Sequence, residues 1–172
     1  LSGKWRVTLK DMTGEAMIPG TLDTNGLGTL NEKREAGRLT RRYEYDGAAI
    51  YEKDVFIGKE FAGCVISLLI ERTRCARVFV NGKEGKANGF NSLATVNRFD
   101  VTDCVHFGTK NTIRVEVDNT YPNMPASSII YSSTATDESQ TNWNGMIGKV
   151  ELQAEDRVFV SCVRVYPQEN NK

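Results

Sequence analysis

Apolar positions along this chain fall in short runs separated by Gly, Asn and Asp, with no sustained helical period. The clearest run has Ile113, Val115 and Val117 alternating with Arg114 and Glu116, as in a strand with one buried and one wet face. This reading predicts about nine strands and little helix. They cover residues 4–9, 39–45, 51–57, 64–71, 76–80, 94–99, 112–117, 149–153 and 158–166. Residues 64–80 are long and apolar enough to suggest a helix, but their β-branched content and the polar break at 71–74 favour a hairpin. Asn81-Gly82 is the turn signal that closes the next one. Helix is expected only as short turns, one of them near residues 31–36. The fold class is therefore all-β, a single-domain sandwich over residues 1–172.

Two connections, residues 12–38 and 120–148, are longer than connectivity needs, and loops of that length are commonly binding loops. The second carries Tyr121, Ile129, Ile130, Tyr131 and Trp143, too much apolar surface for plain disorder. An ordered loop that lines a site is expected.

Composition narrows the function classes. Twenty-two basic residues balance twenty-two acidic ones, so no net field attracts a polyanion or an anionic membrane. Neither a nucleic-acid nor a membrane partner is expected. The longest apolar stretch, residues 64–70, is far short of the roughly 20 needed to cross a bilayer, which predicts a soluble chain. No initiator Met, basic stretch or apolar leader precedes Trp5, as in a mature or trimmed chain. Cys64, Cys75, Cys104 and Cys162 lack zinc-site spacing and read mainly as buried free thiols.

Candidate chemistry is sparse. Glycoside hydrolysis needs two facing carboxyl groups, about 5 Å apart in retaining enzymes. No such pair stands out, since Glu116 alternates on a strand and Asp100 and Asp103 sit in turns. His106 is the only histidine, which leaves no multi-histidine metal site and no spare triad base. No phosphate-binding glycine loop is present, because residues 82–89 lack the Lys-Ser/Thr ending. No catalytic residue, metal site or cofactor is predicted.

Sugar binding asks instead for an aromatic face flanked by planar amides, carboxylates and arginines. Gln140-Thr141-Asn142-Trp143-Asn144-Gly145 offers that mixture. The same segment could equally be a loop whose Trp143 plugs the sandwich edge while the asparagines brace turns. Trp5 is assigned to the core.

Five segments then resemble the sugar-binding domain of family 2 glycoside hydrolases, in order and over nearly the whole chain. They are LSGKWRV at 1–7, IPGTLDTNGLG at 18–28, LTRRYEYDGAAIYEKDVFI at 39–57, VFVNGKEGK at 78–86 with FDVTDCVHFGTKNTIRVEVDN at 99–119, and QTNWNGMIGKVEL at 140–152. Ile50-Tyr51 stands where the family commonly has Trp-Tyr, so no stacking role is expected at position 50. The resemblance implies a jelly-roll β-sandwich of the galactose-binding-like kind. It also implies an immunoglobulin-like domain and a catalytic (β/α)8 barrel as neighbours in a β-galactosidase-like or β-glucuronidase-like parent working outside the cytoplasm. Such a barrel takes about 250 residues, so this chain cannot hold it.

By position, the resemblance implies loops that contact a β-glycoside around Asp23 and Asn25, around Arg41 and Arg42, and from Asp137 through Gln140, Asn142, Trp143 and Asn144. Three readings remain: an accessory wall of a glycosidase pocket, an autonomous carbohydrate-binding module, and a structural or interaction sandwich. Exposure of Trp143 separates the last two. A monomer is expected for the isolated chain.

Overall fold

The computed structural model describes residues 1–34, 36–89, 92–122, 140–160 and 162–167. In chain order the strands are β1 (Gly3–Thr8), β2 (Thr13–Ile18), β3 (Gly20–Thr21), β4 (Thr29–Leu30), β5 (Tyr43–Glu44), β6 (Ala48–Ile57) and β7 (Val65–Ile70). There follow β8 (Cys75–Val80), β9 (Lys83–Glu84), β10 (Lys86–Ala87), β11 (Asn97–Asp100), β12 (Thr109–Asp118), β13 (Gly145–Met146) and β14 (Val150–Glu155). Among the described residues, helix is limited to single 3-10 turns at Asp23–Asn25, Lys59–Phe61 and Thr102–Cys104.

The strands form a jelly-roll β-sandwich. One sheet has the order β2-β1-β6-β12-β8-β9 and the other β10-β11-β7-β14, every pairing being antiparallel. β12 is its spine, paired with β6 along its whole length and with β8 over Ile113–Asp118. Its alternation sets the layers: Ile113, Val115 and Val117 are fully buried. They join Trp5, Val7, Tyr51, Val78 and Val80 of the same sheet and Ile66, Leu68, Ile70 and Phe99 of the other in one core cluster. Trp5 sits in that core, as its place on the first strand predicts.

The Asn81-Gly82 signal makes the expected turn, with φ of 53° and 81° in the left-handed region that an inward-twisting hairpin needs. Asn81 also ties it down, its Nδ2 donating to Asn111 Oδ1 at 2.7 Å and to the Cys104 carbonyl at 3.0 Å.

Several expectations are corrected. The connection at 12–38 is not strand-free: β2 pairs with β1 throughout, and β3 and β4 lie within it. The predicted strand at 39–45 shrinks to β5, because Leu39 is half exposed and has no sheet beneath it. No helix forms among the described residues of 31–36. The described residues of 158–166 are not a strand, and Val158, Val160, Val163, Val165 and Tyr166 stand in solvent. Cys162 is consequently exposed, whereas Cys104 is buried and Cys64 and Cys75 are half-buried, all as free thiols.

Stability should follow this division. Leu68→Ala, at a fully buried site, should cost about 2–5 kcal/mol. Val158→Ala, at a position 92% exposed, should stay within about 0.5 kcal/mol. Urea denaturation midpoints check this, and a comparable loss from Val158→Ala would place that segment in a sheet.

Candidate functional site

β12 runs antiparallel to both β6 and β8, so Asp118 lies opposite Ala48 on one side and Cys75 on the other. The end of β12, the entry to β6 and the β7–β8 connection therefore meet at one end of the sandwich. Residues 141–146 are threaded into the same end. β13 pairs with β3, placing Gly145 opposite Thr21, and Leu22 N–H donates to the Asn144 carbonyl at 2.9 Å. The approach requires glycine: Gly145 has a φ of 148°, and a Cβ there would lie 2.4 Å from the Gly20 carbonyl oxygen.

Arg74 anchors this arrangement. Only 1% exposed, it donates from Nε to the Trp143 carbonyl and from Nη2 to the Thr141 carbonyl, each at 3.1 Å. Its guanidinium carbon lies 4.1 Å from the centroid of the Trp143 ring and 5.9 Å from that of Tyr121. Burial lowers the Arg74 pKa from its ordinary value, while Tyr121 acts to raise it. Beside it, Thr73 Oγ1 donates to the Gly145 carbonyl at 2.9 Å.

Three asparagines stitch the loops together. Asn144 donates from Nδ2 to the carbonyls of Val117 at 2.9 Å and Gly47 at 3.0 Å, and its Oδ1 accepts from the Tyr51 hydroxyl at 3.1 Å. Burial pushes the Tyr51 hydroxyl far above its usual pKa, so it stays a donor. Asn119 accepts from Gly47 N–H at 2.9 Å, and its Nδ2 lies 2.9 Å from both the Tyr45 and the Asn142 carbonyls. Asn142 accepts from the Tyr121 hydroxyl at 3.0 Å and donates to the Asn119 carbonyl at 3.0 Å.

Asp46 faces solvent at the rim of this network. Its Oδ1 lies 3.2 Å from Asn119 Nδ2, 3.3 Å from Arg41 Nη1 and 3.4 Å from Asn142 Nδ2. Arg41 is only 8% exposed and also donates to the Tyr45 carbonyl at 3.1 Å, whereas the Asp46 side chain is 56% exposed. Oδ2 of Asp46 bonds to no described residue. A carboxylate held on one oxygen and open on the other is a ready acceptor for a ligand hydroxyl.

The sequence-predicted residues divide by location. Arg41, Asn142, Trp143 and Asn144 converge here, with Gln140 half-buried alongside. Trp143 is 7% exposed beneath Arg74, the edge-plugging arrangement, and presents no open stacking face. Asp23 and Asn25 brace backbone. Asp23 Oδ1 accepts from Tyr43 N–H at 2.7 Å, and Asn25 accepts from Met17 N–H and donates to the Thr21 carbonyl, both at 2.7 Å. Arg42 is exposed, its guanidinium carbon 5.9 Å from the Tyr43 ring centroid. Asp137 lies outside the described residues.

Sequence reasoning missed Arg74, Asn119 and Asp46. Asn119 was within reach, because it continues the inward phase of Ile113, Val115 and Val117 and so had to be a buried amide with partners. Arg74 looked like part of a polar hairpin break, and Asp46, lying between Tyr45 and Gly47, carried no signal of its own.

No protein-family model matches the sequence, and no curated protein matches it. Solved structures do resemble it. A β-D-glucuronidase from Dictyoglomus thermophilum superposes with a TM-score of 0.66 at 17% identity, over 94% of this chain and 28% of that one. A β-glucuronidase from Ruminococcus gnavus gives 0.64 at 15% identity, over 90% of this chain and 28% of that one. One from Lactobacillus rhamnosus gives 0.53 at 18% identity, over 69% and 20%. The chain thus spans less than a third of the length of these proteins.

The network predicts unequal mutational costs. Arg74→Met leaves the buried Trp143 carbonyl without its donor, takes one of two donors from the Thr141 carbonyl, and should destabilise by about 2–3 kcal/mol. Asp46→Ala leaves each donor another acceptor, the Tyr45 carbonyl for Arg41 and Asn119 and the Asn119 carbonyl for Asn142, and should cost less than about 1 kcal/mol. Urea titrations followed by tryptophan emission measure both, and equal costs would mean that Arg74 does not anchor the loops. What the residues and the superpositions establish together is a β-sandwich with the fold of one segment of the β-glucuronidases, closed at one end by a buried polar network.

Proposed function

We propose that this chain is the non-catalytic sugar-binding sandwich of a family 2 glycoside hydrolase, forming one wall of a β-glycoside pocket whose catalytic groups lie in another domain. The observation that carries this reading is the exposed Asp46 carboxylate, fixed by Arg41, Asn119 and Asn142 on a fold shared with a segment of the β-glucuronidases. The ordered sequence resemblance supports the same family. In this reading Asp46 Oδ2, Asn142 and Gln140 meet sugar hydroxyls, while Trp143 supports the loop from beneath. Asp23, Asn25 and Asn144 contribute by holding loop backbone in place.

An accessory wall is favoured over an autonomous module because Trp143 and Tyr121 are buried, so the described residues of the contact loop offer hydrogen bonds without a stacking platform. The exposed apolar residues of 158–166 favour packing of this sandwich against further domains, as an immunoglobulin-like unit and a barrel would provide. A β-galactoside or a β-glucuronide would suit such a parent, and the neighbours named above favour the glucuronide.

Two measurements test the reading. The chain should release no nitrophenol from nitrophenyl β-galactoside or β-glucuronide, and turnover would contradict a non-catalytic role. In NMR titrations with short β-linked oligosaccharides, the Asp46 and Asn142 signals should move only at millimolar concentrations and above. Saturation at micromolar sugar would favour the autonomous module, and shifts confined to other surfaces would favour a structural sandwich.

A further inference from the structure

We infer that the groove formed beside the β4–β5 hairpin by residues 31–34 and 38–42 is a subsite for an acidic glycan, taking a sulfate or carboxylate group carried on a sugar. This deepens the glycoside-contact reading and rests on it. Within residues 31–44 the chain carries five basic residues, Lys33, Arg34, Arg38, Arg41 and Arg42, against three acids, Glu32, Glu35 and Glu44, although its overall formal charge is zero. A balanced total therefore conceals a local excess of positive charge.

The groove has a fixed base. β4 and β5 pair through Thr29–Glu44 and Leu30–Tyr43, and Asn31 N–H donates to the Arg42 carbonyl at 2.8 Å. Asn31 Nδ2 donates to Glu44 Oε1 at 2.7 Å, which ties that carboxylate to the hairpin base. Above this base lie two open cavities of about 360 and about 500 Å3, which share Leu30, Asn31, Lys33 and Thr40 as walls. Arg38 and Glu44 line the first, and Arg34, Arg41 and Arg42 with Glu32 line the second, so the bases outnumber the acids in the second cavity and, with Lys33, in the first. Those volumes are in the range of small-ligand sites.

Arg41 has its charge committed to Asp46, whereas Lys33, Arg34 and Arg42 form no ion pair with any described residue. Guanidinium forks match the paired oxygens of sulfate and carboxylate. Leu30 and Leu39, 50% and 48% exposed, offer apolar surface for the C–H face of a sugar ring. Among the described residues no aromatic side chain lines either cavity, so single-stranded nucleic acid would find no base-stacking platform there, whereas a charged glycan can be held through its acidic groups. Arg41 joins the groove to the Asp46 rim, lining one and bonding the other. A glycan reaching Asp46 could thus extend an acidic residue into the groove.

Calorimetry and NMR on the chain at low salt, with four oligomers of matched length, decide the matter. They are a chondroitin sulfate oligosaccharide, an oligogalacturonate, a neutral cello-oligosaccharide and an oligothymidylate. At least one acidic glycan should bind tenfold or more tightly than the neutral one, moving amides of residues 31–42, and the stronger of the two identifies sulfate or carboxylate. Arg34→Ala with Arg42→Ala, both at exposed positions, should remove most of that preference without lowering the melting temperature, and Arg42→Glu should do the same. Equal binding of acidic and neutral glycans, oligothymidylate binding as tightly as the acidic glycan, or variants that keep the preference would each overturn the inference. Loss of the acidic preference while neutral glycans still shift Asp46 and Asn142 would leave the wall reading intact, so the two can fail separately.

Discussion

A guanidinium buried between aromatic rings is the constraint around which the functional end of this sandwich is built. Removing Arg74 from water is costly, and the cost is offset only where every direction around the group is filled. Carbonyls from Thr141 and Trp143 meet its edge, and the rings of Trp143 and Tyr121 cover it. Because those carbonyls lie far along the chain from Arg74, satisfying the cation also decides where residues 141–146 run. From there the order spreads outward. Gly145 closes onto β3, Asn144 bonds across to Val117 and Gly47, and Asn142 reaches Asn119 and the Tyr121 hydroxyl. The exposed carboxylate of Asp46 is the last link, positioned by groups that are themselves buried.

That hierarchy explains what the sequence revealed and what it concealed. The central strands were legible because alternation alone dictates them: Ile113, Val115 and Val117 can bury one face only as a strand. Strand β2 was hidden, since Thr13-Gly14-Glu15 carries little apolar signal and the segment pairs at a sheet edge, where backbone bonds outweigh burial. Residues 158–166 failed in the opposite sense. Their composition is strongly β-forming, yet no described strand pairs with them, and propensity without a pairing edge does not make a strand.

The site was half legible for a similar reason. Residue types suited to sugars could be found in the 140–145 segment, but a sequence does not say which amide faces solvent and which holds the loop. Asn144 and Asn142, two residues apart, divide those tasks: one is buried beneath Tyr51, and the other reaches the rim. Trp143, the residue most suggestive of stacking on a sugar, serves as the lid of Arg74. The contact groups that remain, Asp46 above all, come from a turn that reads as ordinary punctuation.

A buried polar network holds these loops in place before any ligand arrives. Hydrogen exchange of the side-chain amides of Asn119 and Asn144, read by NMR on the ligand-free chain, tests it most directly. Both NH2 groups should be protected to a degree comparable with backbone amides in β12, because Asn119 and Asn144 are buried and opening their bonds requires the loop end to come apart. Exchange at the rate of a solvent-exposed amide would contradict it, showing that the loops move independently of the sandwich beneath them.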